Sequence, residues 1–451
     1  MSKDSKILNP FFKKEYPVIS HGKRIYMYDE DGKEYIDGTS GAVLCSLGHG
    51  LEEMGDVLKA QTEKISFVYR WDCVTDILEQ ACNKICEASE NHFSKVFYVS
   101  GGSEATEIAV KLARKYHLNK GNHGKYKVIS RWQSYHGSTM GVLSLTGFTG
   151  RRAGYEPYLH EFGHIPPAYC YRCWYNKEPK NCNIECAQAL ENEILSQGPD
   201  SVSAFIMEPI SGMSICAARP RDDYYEKIKE ICKKYDVLLI FDEVMTGIGR
   251  TGKYFAYQYF NVKPDIIALG KALCGGYFPI GAVACTEALY ETIYNNTAEF
   301  PPGYSWAGNP LGCAVVVKTF EYIEEHHLIT KSAENGAYLK QRLESLHKHP
   351  TVGDIRGLGM MVGIEFVKNK STKEAFGPEV GYSLQINQEA LKRGMFIELS
   401  SGCDKGVRGD MIMAAPAFII TKEEIDKMVD ILDETITAVE ERNGFLSEAI
   451  G

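Results

Sequence analysis

A chain of 451 residues with 44% hydrophobic content is long enough for two or three domains around a substantial core. Its formal charge of -9 argues against a general affinity for nucleic acid or anionic membrane. No run reaches the roughly 18 apolar residues of a membrane span, and the opening Met1 to Lys6 lacks the apolar core of a signal peptide. A cytoplasmic globular protein is therefore expected, with its 14 cysteines as reduced thiols.

Residues 1 to about 20 carry several lysines and two prolines and read as an arm. Gly22 to Asp37 alternates apolar and polar residues around Asp29-Glu30-Asp31-Gly32, a hairpin pattern leading toward Gly48-His49-Gly50. Periodicity predicts helices over Leu51 to Ile65, Thr75 to Ala88 and Ser103 to Leu118, the last with Ala105, Ile108, Ala109, Leu112 and Ala113 on one face. Five short apolar runs read as strands that end in polar groups. Val96 to Val99 runs into Ser100-Gly101-Gly102-Ser103, and Val128 and Ile129 lead toward Tyr135-His136-Gly137. Ala204 to Met207 ends at Glu208, Val237 to Phe241 at Asp242-Glu243, and Asp265 to Leu269 at Gly270-Lys271. Asp222 to Tyr235 is an amphipathic helix that feeds the strand before Asp242, and helix followed by strand, repeated, is the doubly wound pattern. Gly281 to Cys285 reads as a further strand and Ala314 to His326 as a long helix. After about residue 328 the pattern turns to helix and hairpin, with a strand region from Ile355 to Phe366 and a closing helix from Glu423 to Glu440.

Ligands in open α/β sheets bind beyond the carboxyl ends of parallel strands, so the five polar ends describe one pocket. Glycines at 101 and 102 let the backbone turn tightly into a helix whose first N–H groups face an anion, and a phosphate fits there. A lysine at a desolvating strand end can lose its proton and add to a carbonyl. A carboxylate one strand away can keep a pyridinium nitrogen protonated. That pairing is the chemistry of pyridoxal 5′-phosphate. Singly, each feature has an ordinary reading: Lys271 as a solvated lysine, Asp242 as a turn residue, Ser103 as a helix N-cap, Tyr135 as core packing. The ordered set is what points to the cofactor.

The chain resembles the class III (omega) pyridoxal phosphate-dependent aminotransferases of fold type I from about Gly22 to about Lys427. The matching stretches are Tyr28 to Gly38, Ser100 to Ala105, Tyr135 to Gly137, Glu208-Pro209, Phe241 to Gly252, Gly270-Lys271 and Gly308 to Pro310. The resemblance implies an α/β fold, a mostly parallel central sheet with helices on both faces, plus a small α+β domain built from both ends of the chain. Residues 1–65 would give the arm and part of the small domain, 66–327 the large cofactor-binding domain, and 328–451 the remainder of the small domain. It further implies that Ser100, Gly101, Gly102 and Ser103 hold the cofactor phosphate and that Tyr135 stacks on the ring, with His136, Glu208 and Val244 beside it. Asp242 would pair with the pyridinium nitrogen. Lys271 would form the Schiff base and then carry the Cα proton as base and acid. Ser305 stands where the family has a threonine reaching the phosphate of a neighbouring subunit, which implies a homodimer with shared sites, or a dimer of dimers. The implied reaction moves an amino group from a primary amine, ω-amino acid or amino acid to pyruvate or 2-oxoglutarate by a ping-pong mechanism. A racemase, epimerase or aminomutase on the same fold would share Lys271 and Asp242. The absence of a helix-turn-helix extension tells against the regulators built on this fold.

Departures from the family bear on substrate. Ser138 stands where members acting on 4-aminobutyrate have an arginine, and Met213 and Met413 stand where others place a glutamate and a gated arginine. Met245 replaces a common glutamine. A donor carboxylate would then be buried without a partner, so 4-aminobutyrate and ornithine are expected to be poor donors. The favoured donor is an amine, a short ω-amino acid or an amino acid with an apolar tail, held against Tyr69, Trp71 and the methionines. Arg408, in the Gly-rich segment from Ser401 to Asp410, is the candidate cation for an acid, against the reading of a solvated loop arginine. Cys170-x2-Cys173 and Cys182-x3-Cys186 have spacings that suit zinc or an iron–sulfur cluster; a reduced loop is expected instead, and a metal there would be structural. A metal-dependent or regulatory binding protein using those four cysteines is the reading from another class.

Overall fold

The computed structural model describes residues 6–445. Residues 6–18 carry no helix or strand, and the first five residues of the expected arm lie outside the described residues. The hairpin forms as β1 (Ile19–Lys23), β2 (Tyr26–Asp29) and β3 (Glu34–Asp37), each antiparallel to the next. Asp29 closes the β2–β3 turn, accepting the Asp31 and Lys33 backbone N–H groups on Oδ1.

The central sheet contains β4 (Lys95–Val99), β5 (Lys127–Arg131), β6 (His164–Ile165), β7 (Val202–Met207), β8 (Leu238–Asp242), β9 (Ile266–Leu269) and β10 (Gly281–Cys285). Its spatial order is β4-β10-β9-β8-β7-β5-β6. Pairing is parallel from β9 through β8, β7 and β5 to β6, while β10 runs antiparallel between β9 and β4. Every residue of β7, β8 and β9 is buried, as strands covered on both faces require. Alternation divides their side chains between two cores. Phe205, Met207, Leu239, Phe241, Ile267 and Leu269 enter one, and Ala204, Ile206, Leu238, Ile240, Ile266 and Ala268 the other. The helix Gly102–Asn119 closes the second core with the Ala105, Ile108, Ala109, Leu112 and Ala113 face expected from its periodicity. Thr75 caps the helix Asp76–Ala88 by accepting the Leu78 N–H.

The expected strand region from Ile355 to Phe366 is two strands, β11 (Val352–Gly357) and β12 (Val362–Phe366), paired antiparallel. Glycines cause the reversal: Gly357 has φ +147° and Gly359 φ +60°, conformations that side chains disfavour. The last strands are β13 (Met395–Phe396), which joins β3, and β14 (Glu398–Asp404) and β15 (Arg408–Ala414), which complete a sheet of order β11-β12-β15-β14. The helix Lys422–Arg442 closes the described chain with a capping box at Thr421 and Glu424.

Gly336, within the helix Leu328–Glu344, lies so close to the Gly359 turn that a Cβ would stand 2.2 Å from the Gly359 carbonyl carbon. Backbone cannot yield as a side chain can. Gly336→Ala is therefore expected to destabilise the fold by roughly 1–3 kcal/mol despite alanine's better helix propensity. Urea unfolding would show this as a lower midpoint; an unchanged or higher midpoint would mean the helix slides freely past the turn.

Candidate active site

The carboxyl ends of β4, β7, β8 and β9 open into a cavity of about 610 Å³ whose wall includes Ser100, Gly101, Gly102, Ser103, Tyr135, His136, Glu208, Asp242, Val244 and Lys271. At one end, β4 passes through Ser100 and Gly101 into the helix Gly102–Asn119, presenting that helix's unpaired N–H groups to the cavity. Gly102 packs against Val244: a Cβ there would stand 2.7 Å from Val244 Cγ1. Ser103 Oγ accepts the Ser138 N–H at 3.1 Å, tying the helix start to the segment that carries Tyr135.

Asp242 ends β8 at 5% exposure. Its Oδ1 accepts the Val244 N–H at 3.1 Å, and its Oδ2 lies 2.8 Å from His136 Nδ1. An ionised carboxylate only accepts, so Nδ1 carries the proton; in the neutral ring Nε2 is then a bare acceptor, and it is buried without a partner. Glu208 Oε1 accepts the Gly212 N–H at 2.8 Å, and Oε2 the Tyr135 N–H at 3.4 Å. Burial raises the Glu208 carboxyl, with His136 and Arg131 pulling the other way. Glu243, next to Asp242 in the chain, is absent from the cavity wall and braces the next loop, accepting the Ala256 and Tyr257 N–H groups and the Thr246 hydroxyl; burial pushes it up to about 7.

Lys271 follows β9 with φ +46°, a left-handed conformation uncommon outside glycine and often found at functional positions. Its Nζ donates to the Ala42 carbonyl at 2.7 Å. Burial pushes the amine down to about 8, opposed mainly by Glu398 and, less strongly, by Asp242 and Glu208. The charged form is therefore held below about pH 8 and the nucleophilic amine above it. Lysine-directed labelling of cofactor-free protein should show Lys271 reacting with a midpoint near pH 8, about two units below an ordinary lysine. A midpoint above 10 would mean that water reaches the amine freely.

Other candidates fall elsewhere. Tyr69, Trp71 and Ser305 line a separate cavity of about 820 Å³, together with Val96, Phe97 and Val283 of β4 and β10. Met213 lines the site, but Met413 is wholly buried inside β15, its carbonyl held by the Thr39 hydroxyl. Arg408 is 57% exposed in its side chain, pairs with Asp404 at 2.6 Å and faces a cavity lined by Cys170 and Cys173. The β14–β15 register explains this: Asp404 pairs with Arg408 at the hairpin tip and Glu398 with Met413 near its other end. Six residues of strand separate the two ends, about 20 Å. The 14 cysteines are free thiols, and among the described residues no group of three or more His, Cys, Asp or Glu is arranged to hold a metal ion.

Two charged wall residues had no signal in the sequence, Glu398 and Arg151. Glu398 is the first residue of an edge strand and Arg151 sits on a short helix, Thr149–Arg152, and no motif marks either.

The cavity thus joins a helix N-terminus, a buried carboxylate oriented by two donors and an amine of lowered basicity: an anion site, a cation-stabilising group and a nucleophile on one wall. Comparisons with known proteins agree on what carries this arrangement. The family model described as aminotransferase class-III matches residues 12–436. An uncharacterized aminotransferase of Bacillus subtilis, YodT, is 37% identical over 97% of this chain and 98% of its own length. The diaminobutyrate–2-oxoglutarate transaminase of Halomonas elongata is 33% identical over 94% of this chain and 90% of its own. The crystal structure of a transaminase from a marine Virgibacillus superposes with a TM-score of 0.89 at 29% identity, covering 96% of this chain and 95% of that one.

Proposed function

The chain belongs to the class III aminotransferase family, and from that premise we propose that it is a pyridoxal 5′-phosphate enzyme. It transfers an amino group from a primary amine, ω-amino acid or amino acid to pyruvate or 2-oxoglutarate in two half-reactions. The observation that carries this reading is the placement of Lys271, Asp242 and the Gly102–Asn119 helix start around one cavity.

The residues fit that cofactor. A phosphate would take the helix N-terminus, where Gly101 has no atom within 4 Å of a would-be Cβ and Gly102 leaves room only for backbone. Tyr135, half-buried with its hydroxyl 2.7 Å from Ser138 Oγ, would cover one ring face. Asp242 would sit at the ring nitrogen. When bound, pyridoxal phosphate supplies the electrophilic carbonyl carbon and the electron-withdrawing ring that make an amine's Cα–H acidic.

This chain's own residues do the remainder. Asp242 would hold its negative charge toward the ring nitrogen, because the Val244 N–H and His136 Nδ1 each engage one of its oxygens and fix its orientation. Lys271, lowered to about 8, would supply far more free amine near neutral pH than an ordinary lysine and would take and return the Cα proton. Glu208, held by Gly212 and Tyr135, positions the Tyr135 backbone and so the ring above the site.

We infer further that the enzyme works as a dimer with shared sites. Ser305, Tyr69 and Trp71 are exposed beside a cleft away from their own chain's site, a placement that suits residues serving a second copy.

A panel of amine donors against 2-oxo acids tests the reaction. Carbonyl product should appear in equal amount to new amino acid, with parallel-line initial-rate patterns. Inversion of a chiral amino acid without any acceptor would replace transfer by racemisation.

A further inference from the structure

Glu398 is the acidic group on the site wall that the chemistry above leaves unused. Its backbone is pinned, the N–H donating to Thr39 Oγ1 at 2.9 Å, and that hydroxyl in turn donates to the Met413 carbonyl. Its side chain lines the cavity, yet Oε2 is buried and has no hydrogen-bond partner. Burial raises the carboxyl, while Lys271 and Arg151 favour its ionised form and Asp37 opposes it.

Neither neighbouring cation pairs with it. Lys271 gives its hydrogen bond to the Ala42 carbonyl, and among the described residues no Lys or Arg nitrogen lies within 4.0 Å of Glu398. Arg151, also on the wall, is exposed, its guanidinium 6.0 Å from the Phe148 ring centroid. Once the Lys271 amine is spent in bonding, its charge no longer supports Glu398. A buried carboxylate oxygen without a partner costs stability, and a cation brought by the substrate would relieve that cost. The rest of the wall is apolar or neutral where Met213, Met245, Ile210 and Phe278 stand, which suits the methylene stem of such a substrate.

We propose that Glu398 selects donors bearing a second ammonium group, so that the preferred amino donor is a primary diamine. This rests on the transfer reading above and names its substrate class. One amine reacts at Lys271's end of the cavity, and the other remains protonated and donates to the Glu398 carboxylate. A donor with a distal carboxylate meets the like charge of Glu398 and is rejected.

The test compares a short series of α,ω-diamines, each against the monoamine of the same chain length, using holoenzyme and pyruvate. The diamine should exceed its monoamine in kcat/KM by roughly 10- to 100-fold at the best length, the reach of one charge-assisted hydrogen bond in a desolvated pocket. Glu398→Gln should shrink that ratio to within about threefold, and Glu398→Asp, which keeps the charge, should retain a larger ratio than the Gln form. A second measurement needs no turnover: calorimetric binding of tetramethylated diamines and dimethylated monoamines, whose tertiary nitrogens cannot react. Here too the doubly charged probe should bind wild type at least about tenfold more tightly, and the Glu398→Gln protein without preference. Absence of product from every amine with every 2-oxo acid would defeat the transfer reading alone, since calorimetry still decides Glu398. Equal binding of the two probes by wild type, or a preference that survives Glu398→Gln, overturns the proposal.

Discussion

Lys271→Ala is expected to lower turnover by roughly 10⁴-fold or more, whichever donor is used. In the proposed reaction the side chain would supply both the nucleophile and the proton carrier, and no other amine among the described residues lines the cavity. Burial, which pushes the amine down to about 8, would let one group do both jobs near neutral pH. The fold should survive, because the side chain's hydrogen bond is a single one, to the Ala42 carbonyl. Borohydride should then fix no cofactor to the variant covalently, while inorganic phosphate still binds at the helix N-terminus. Wild-type turnover in the alanine variant would remove Lys271 from the mechanism.

Asp242→Asn should bind the cofactor but slow proton removal from the donor by roughly 10³-fold. An amide of the same shape keeps β8 and its neighbours in place, since the Val244 N–H can still be accepted by the amide oxygen at the Oδ1 position. What it loses is the charge that keeps a ring nitrogen protonated, and it turns an N–H toward His136 Nδ1, now 2.8 Å from a carboxylate oxygen. Both changes act in a buried setting, where they weigh more than in water. Single-turnover kinetics with an α-deuterated donor should show a lower rate and a larger isotope effect. Unchanged half-reaction rates would assign the ring nitrogen to another group, with Glu208 the next carboxylate on the wall.

The five polar strand ends converge because a parallel sheet leaves them no alternative. Strands that run the same way deliver their carboxyl ends to one edge, so Ser100, Glu208, Asp242 and Lys271 meet wherever the helices between them cross. Tyr135 and His136 reach the same edge from the loop after β5. Each of these residues could be read from its place one or two steps beyond a local apolar run.

The substrate end of the pocket had no such local signal. Met413 and Glu398 sit opposite one another across β15 and β14, and only the pairing register shows that the edge strand carries Glu398 to the cavity while Met413 stays buried one strand further in. Arg408 belongs to the same hairpin but at its tip, and Asp404 holds it there. Tyr69, Trp71 and Ser305 lie beyond the opposite side of the sheet edge, around β4 and β10. By itself, then, the sequence determined the family, the doubly wound core and the edge where the polar strand ends meet, because those depend on short apolar runs and the residues directly after them. Only the tertiary structure decided which further charges line the cavity. That choice depends on the register of a second sheet, built from residues more than eighty positions away from Lys271, and strand register is set by packing rather than by any residue's neighbours in the chain.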